Sequence, residues 1–359
     1  MRHKLLLKPT TCNMSSDALV VAVASQYLNG AADLLQKSLP DLRFVAVCFE
    51  NAIPGQVIVD LQVTEGDIQR LQEADVLVTD SFVVAQLAYR LPRLKWMQAC
   101  AAGIDSLTRM LTPDFVAAHG VPPFTLTRFS GLPYARLMHE YCFCFIVSIE
   151  RGFEKQLLSR STRSWSALKA CSPASYRQLH ELTIAILGVG SIGSTLASMF
   201  RNHGSRVIGF GRRSRTELEW QGLGFDAYYT DLESALQTSD YVINGMPHTP
   251  ATAGLLNEKF SSCLRRPVFI NLGRGSVVRT DYLIKSLDEG LLSHAVLDVF
   301  ETEPLPASSP LWTHAKVTLT PHVSCETRVQ DVCQVFLENY HLFARKKPMK
   351  QIFDWNKLY

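Results

Sequence analysis

The stretch Gly188-Val-Gly-Ser-Ile-Gly193 (GVGSIG) decides the fold. It has the spacing G-x-G-x-x-G. An apolar run at 183–187 (TIAIL) leads into it, and a segment with Ile192, Leu196, Met199 and Phe200 on one helical face leads out. That is the pattern of a buried strand turning sharply into a helix, which Gly204 then stops. The first glycine makes the turn, the second lets backbone approach a pyrophosphate, and the third allows close packing of helix on strand. The N-terminal end of the helix, with unpaired N–H groups, points at the anion. A tight strand-to-helix turn with no ligand is the plainer alternative for these six residues taken alone.

On either side the chain alternates short apolar runs with amphipathic stretches. Upstream, residues 18–24, 43–47, 75–79 and 94–98 read as buried strands, with helical patterns at 31–38 and 65–73. Downstream, the strands are 206–210, 241–244, 268–272, 294–298 and 316–319, and a last helix spans about 327–343. A long helical segment near 134–159 carries Phe143, Phe145 and Ile146 and meets no glycine or proline until Gly152. Such alternation predicts parallel sheets covered on both faces. At 359 residues two domains are expected. The fold class is therefore α/β, with two doubly wound, Rossmann-like sheets.

Composition excludes several classes. The formal net charge of +3 argues for neither a nucleic-acid nor a membrane-surface partner. No apolar run reaches the length of a membrane span. The nine cysteines are scattered without zinc spacing, so no metal site is expected and a reduced cytoplasmic setting fits. Arg2, Lys4 and Lys8 precede the first acid, Asp17, a weak likeness to a mitochondrial transit peptide; a frayed basic start is the favoured reading.

Residues 209–215 read GFGRRSR, where an NAD-binding unit normally carries an acid for the ribose hydroxyls. An acid there would repel a 2′-phosphate. Arg212 and Arg213 suit one through charge-assisted hydrogen bonds, with Ser214 as a further donor. NADP(H) is therefore expected over NAD(H), a solvated basic loop being the alternative. Three later segments place polar groups beyond strand ends, where ligands lie in open parallel sheets. Arg274 follows one strand between small residues, acids follow another in LDVFETEPLP (297–306), and His322 follows the last.

Together GVGSIG, NLGRG, LDVFETEPLP, SPLW and LTPHV resemble the D-isomer-specific 2-hydroxyacid dehydrogenases, and within them the bacterial-type glyoxylate/hydroxypyruvate reductases. The likeness is strong from about Leu182 to Thr327 and weaker over the first half. It implies Arg274, Glu303 and His322 as the catalytic set, with Glu301 a solvated loop acid. It further implies cofactor contacts at Gly188, Gly190, Ser191, Ile192, Gly193, Pro247, Thr252, Leu272, Gly273, Asp298 and Ser324. Asp298 would face the nicotinamide carboxamide, and His248 would be only a loop histidine. Backbone N–H groups at Ala102 and Gly103, in CAAGID (100–105), would meet the substrate carboxylate beside Arg274 and His322, with Trp165 and Arg128 reaching the substrate mouth.

The implied architecture has a substrate-binding domain of residues 1–130 completed by 327–359, a dinucleotide domain of 131–326, and an active site in the cleft. The segment near 134–159 is the expected homodimer surface, and 158–166 a mobile lid. The implied reaction is NADPH-dependent reduction of a small 2-keto acid with His322 as general acid. Bulkier aryl or alkyl 2-keto acids, or a co-repressor-like nucleotide-sensing protein, are the other classes. Where much of the family has a glycine pair after the histidine, this chain has Val323-Ser-Cys-Glu-Thr327, and Cys325 is either an oxidation-sensitive or a buried, inert thiol.

Overall fold

The computed structural model describes residues 19–53, 56, 58, 60–257 and 266–356. The basic start lies outside them. The chain forms two units, one within Met1–Phe129 and Thr327–Asn356, the other within Ser130–Glu326. Among the described residues no helix is long and apolar enough to cross a membrane.

The first unit carries strands β1 (Val20–Ala24), β2 (Arg43–Ala46), β3 (Val76–Thr79), β4 (Trp96–Ala99) and β5 (Thr125–Arg128). All pair in parallel, in the order β2-β1-β3-β4-β5. β3 and β4 are buried throughout, and both are mainly apolar, with Thr79 and Gln98 as their buried polar members. β5 escapes a sequence reading because Thr125-Leu-Thr-Arg128 is short and has one apolar residue, Leu126. Tertiary pairing makes it a strand: it joins β4 on one side, while Thr127 bridges Ile352 and the Phe353 N–H donates to Leu126 O at 2.8 Å.

The helix Val329–Ala344 packs on the helix Ala31–Ser38 and closes this unit. Its Phe336 stacks on Trp96 with ring centroids 4.8 Å apart, both side chains fully buried. A buried polar network runs beside the stack. Trp96 Nε1 donates to Thr127 Oγ1 at 2.7 Å, and Thr127 Oγ1 donates to Gln98 Oε1 at 2.8 Å. Asn339 Nδ2 reaches Gln98 Oε1 (3.4 Å) and Lys350 O (3.2 Å), while its Oδ1 accepts from Lys350 N at 2.7 Å.

The second unit holds β6 (Thr183–Leu187), β7 (Arg206–Phe210), β8 (Ala227–Tyr229), β9 (Tyr241–Asn244), β10 (Val268–Asn271), β11 (His294–Leu297) and β12 (Val317–Leu319). Their order is β12-β11-β10-β9-β6-β7-β8, again all parallel. Alternate residues feed two cores, one on each face. Ile184 and Ile186 join Met138, Cys142, Leu196 and Phe200, whereas Ala185 and Leu187 join Leu236, Leu283 and Leu287. β8 is a half-buried edge strand of three residues, too short to show a period.

The long helical segment divides at Gly152. Leu132–Arg151 ends there on a left-handed φ of 66°, and Phe153–Ser159 begins a separate helix. The helix Ser191–Asn202 ends as its sequence predicts: Gly204 has φ 88° and donates to Arg201 O at 2.8 Å, and Ser205 N–H donates to Phe200 O at 3.2 Å.

Asn339→Ala would take the side-chain partner from the Lys350 N–H and from Lys350 O, while Gln98 Oε1 keeps Thr127 Oγ1. We expect a loss of about 1–3 kcal/mol for each buried group left unpaired, measured as a lowered midpoint in urea unfolding; an unchanged midpoint would show that the network does not hold the closing helix.

Candidate active site

In the second unit the glycine turn, the basic loop, Arg274, Glu303 and His322 all follow strand ends on the carboxyl edge of one sheet. The order reverses beside β6, with β7 on one side and β9 on the other, and GVGSIG leaves β6 at that switch point. Gly188 has φ 103°, and a Cβ on Gly193 would lie 2.0 Å from Gly188 O, so both positions require glycine. A Cβ on Gly190 would meet nothing within 4 Å, which leaves open space before the first turn of the helix. Gly190 is the N-cap and supplies no side-chain cap. Open space at this helix start fits a pyrophosphate. Ser191 Oγ lies 3.2 Å from Ser130 Oγ, and Ile192 packs against the core.

The loop after β7 exposes Arg212, Arg213 and Ser214. It is less free of acid than its sequence suggests. Arg213 pairs with Glu219 at 3.1 Å, and Glu219 caps the helix Glu217–Gly222 together with Thr216. The Tyr228 hydroxyl donates to Arg213 O at 2.6 Å and fixes that end of the loop.

After β9 and β10 two asparagines set the path of the chain. Asn244 and Asn271 are registered neighbours at their strand ends and both are buried. Asn244 Nδ2 donates to Asn271 Oδ1 at 2.8 Å, and its own Oδ1 accepts from Met246 N. Asn271 Oδ1 also accepts from Gly273 N, while its Nδ2 donates to Arg274 O. Sequence reasoning passed over this pair, although the repeated ending in YVIN and VFIN was its signal. A Cβ on Gly273 would come within 2.5 Å of Met246 O, and one on Gly275 within 1.9 Å of Phe300 C. Only glycine allows these approaches, so Arg274 is clamped between two crowded positions. Leu272 is buried just before them.

Thr252 Oγ1 donates to Pro247 O at 2.6 Å and accepts from Thr249 N at 2.9 Å, which closes the 247–252 loop on itself. His248 is more than a loop histidine. Its Nδ1 is 2.7 Å from Ser276 Oγ, joining this loop to the one that carries Arg274. Glu301 is likewise more than a solvated acid, since it accepts from the Thr280 N–H at the start of the helix Thr280–Asp288.

His322 and Glu303 meet directly, His322 Nδ1 to Glu303 Oε2 at 2.7 Å. Glu303 Oε1 accepts from Phe300 N at 2.9 Å, which holds the carboxylate toward the ring. The His322–Glu303 hydrogen bond, and then the negative charge of Glu303, lift the His322 pKa above the usual imidazole value, against burial and the positive charge of Arg274. Burial pushes the Glu303 carboxyl up, but the His322 and Phe300 hydrogen bonds and the charges of His322 and Arg274 hold it below its usual range. His322 sits at φ 56°. Asp298, fully buried, accounts for that strained backbone. It accepts from Thr320 Oγ1 (2.6 Å), Val323 N (2.8 Å) and Ser324 N (2.9 Å), and its carbonyl accepts from His322 N (3.0 Å). Tyr141 OH completes the chain at 2.6 Å from Thr320 Oγ1. Cys325 is half-buried, and burial pushes its thiol up to about 12, which disfavours the reactive thiolate.

In the first unit Ala102 and Gly103 follow β4 and are half-buried. Arg128 Nη1 donates to Ala102 O at 3.2 Å. Trp165, in the second unit, is 83% exposed on the helix Trp165–Ala170.

Residues 143–324 match the family model of the D-isomer specific 2-hydroxyacid dehydrogenase NAD binding domain. Glyoxylate/hydroxypyruvate reductase A of Serratia proteamaculans (strain 568) is 33% identical over 241 residues, 66% of this chain and 73% of that protein. Among solved structures, a D-isomer specific 2-hydroxyacid dehydrogenase family protein from Aeromonas salmonicida superposes with a TM-score of 0.75 at 29% identity, covering 94% of this chain and 100% of its own. The NADPH-dependent glyoxylate/hydroxypyruvate reductase of Sinorhizobium meliloti, solved with NADP and sulfate, gives 0.73 at 25% identity, covering 95% and 100%. The chain thus belongs to the D-isomer specific 2-hydroxyacid dehydrogenase family, as an NAD(P)-dependent oxidoreductase acting between 2-keto acids and D-2-hydroxy acids.

Proposed function

We propose that this enzyme reduces a small 2-keto acid of the glyoxylate or hydroxypyruvate type with NADPH, His322 serving as general acid. The observation that carries the reading is the 2.7 Å His322–Glu303 contact on the sheet edge that also bears Arg274 and the glycine turn. NADPH, when bound, supplies the hydride. Gly188, Gly190, Ser191, Ile192 and Gly193 would cradle its pyrophosphate, and Pro247, Thr252, Leu272, Gly273, Asp298 and Ser324 would border it. Arg212 and Ser214 would hold the 2′-phosphate, as would Arg213 once released from Glu219. The relative from Serratia and the solved reductase from Sinorhizobium support the substrate class and the NADPH preference by their names.

The roles follow from charge. Hydride addition puts negative charge on the keto oxygen, and a permanently charged guanidinium at Arg274 stabilises it. Nδ1 of His322 faces Glu303, so Nε2 is the atom that delivers the proton. Glu303 favours the charged form of the ring. Asp298 spends its hydrogen bonds on the His322 loop and acts by fixing that ring in place. The backbone N–H groups of Ala102 and Gly103 are our candidates for the substrate carboxylate.

We further propose a homodimer built on the helix Leu132–Arg151 and the residues after it. Phe143, Ile146 and Val147 line a groove there. The helices Phe153–Ser159 and Trp165–Ala170 contain no buried residue, leaving Leu157, Leu158 and Trp165 at least two-thirds exposed. A cytoplasmic setting suits the seven free thiols among the described residues.

His322→Ala should lower kcat for keto-acid reduction by about 10²–10⁴-fold; near-normal turnover would rule out the general-acid role. In the wild type, kcat for reduction should stay level at low pH and fall as pH rises through the raised His322 pKa. Glu303→Gln should move that fall to lower pH in a pH-rate profile. Replacing Arg212 and Arg213 with alanine should cut kcat/KM for NADPH by about tenfold or more, the scale of one lost charged hydrogen bond, and leave NADH little changed. Leu158→Asp with Trp165→Asp should shift sedimentation toward the monomer.

A further inference from the structure

The first unit contains a row of reactive side chains, two buried and one half-buried, with no part in the chemistry above. Ala24, Thr79 and Ala99 are registered neighbours at the ends of β1, β3 and β4. The residues one step further along are therefore side by side: Ser25, Asp80 and Cys100. Asp80 is fully buried and Cys100 is 2% exposed. The order β2-β1-β3-β4-β5 makes the β1/β3 edge the switch point of this sheet, where doubly wound domains place ligands.

Here the position is taken by the chain's own carboxylate. Asp80 Oδ1 accepts from the Ser25 hydroxyl, and Oδ2 accepts from Gln26 N at 2.8 Å. Ser25 Oγ accepts in turn from Tyr27 N (3.1 Å) and Leu28 N (3.2 Å). Three successive backbone N–H groups of the loop after β1 thus converge on Asp80, directly or through one hydroxyl. The Gln26 side chain extends the tie, giving to Ile58 O and receiving from Ile58 N.

The same row supports the turn that carries Ala102 and Gly103. Cys100 hydrogen-bonds Ser25 through its side chain, and its N–H donates to Thr79 O at 2.9 Å. Ser106 Oγ, just past that turn, donates to the carbonyl of Ser81, the residue after Asp80. Thr327 Oγ1 donates to Cys100 O at 3.1 Å. The turn is therefore anchored at both ends to the neighbourhood of Asp80.

We propose that Asp80 is a positioning residue for the substrate, its ionised carboxylate holding the 25–28 loop and, through Ser25 and Cys100, the Ala102–Gly103 turn in the shape that receives a 2-keto acid. This rests on the reading of that turn as the carboxylate site. The groups that face Asp80 are Ser25, Gln26 and Tyr27 from the loop after β1 and Cys100 from the end of β4, with Cys333 of the closing helix beyond Cys100. None is a cation. Burial accordingly pushes Asp80 up to about 6, against the hydrogen bonds of Gln26 and Ser25, so the acceptor is lost within a range where the enzyme can be assayed. A raised carboxyl pKa means that acidification through about pH 6 does not weaken the fold at this residue. Affinity lost there separates positioning from stability.

The test uses the full-length chain with glyoxylate and NADPH between pH 5 and 8. His322, raised above its usual value, stays largely protonated over the lower part of that range. The wild-type KM should rise as pH falls through about 6. Asp80→Asn should raise KM by about tenfold, the scale of one lost charged hydrogen bond, with kcat within about twofold and no inflection near pH 6. Ser25→Ala, which keeps the carboxylate on Gln26 N, should move KM the same way. Hydrogen exchange at Gln26, Tyr27 and Leu28 should quicken by about tenfold in Asp80→Asn. An active wild type with unchanged exchange and an unchanged KM profile in Asp80→Asn overturns this proposal alone. A wild type that turns over no 2-keto acid overturns it together with the substrate reading.

Discussion

The carboxylate of Asp298 is the group on which the candidate site depends. It is fully buried, and an unpaired charge in that place would be costly. Three donors from residues 320–324 answer it, and the Asp298 carbonyl takes the His322 N–H. The loop after β12 must therefore wrap the end of β11, and His322 is forced into a left-handed conformation that non-glycine residues rarely adopt. Strain of about 1–3 kcal/mol is typical of such a position. Here several charge-assisted hydrogen bonds, each worth more than a neutral one, offset it.

Close backbone approach is the second constraint. Gly273 and Gly275 bring the loop after β10 against Met246 and Phe300, nearer than any side chain would allow. Arg274 between them has little freedom of backbone, and the buried Asn244–Asn271 pair sets the direction in which it leaves the sheet. A guanidinium aimed by fixed backbone loses less entropy when it grips a substrate than one on a loose loop. The same economy explains Glu303: one oxygen is spent on Phe300 N and the other on His322, so carboxylate and imidazole are held in line by the chain itself.

Both units use one device. An aspartate directly after a parallel strand, Asp298 after β11 and Asp80 after β3, is buried and gathers the N–H groups of a neighbouring loop. In the second unit that loop carries the histidine. In the first it lies beside the turn of Ala102 and Gly103. Parallel strands ending in register put such loops within reach of one another, and a buried acceptor then makes one arrangement better than the rest.

Much of this was legible in the sequence because it depends on local pattern. GVGSIG between a strand and a helix, the alternation of apolar runs, and polar groups just past strand ends set the fold class and brought Arg274, the acids of 297–306 and His322 forward, and the family resemblance chose Glu303 among those acids. Gly204 marked a helix end because left-handed backbone is a local property, whereas the segment near 134–159 reads as one helix that the structure divides at Gly152. What the sequence left open depends on partners distant along the chain. β5 exists because residues 352 and 353 return to pair with it, and β8 because β7 offers an edge. Glu219 is near Arg213 only because a helix cap turns it back. Asp80, one polar residue after an apolar strand, looks ordinary until registered neighbours place Ser25 and Cys100 beside it. Spacing along the chain determines which groups can act; hydrogen bonding between strands far apart in sequence decides which of them meet.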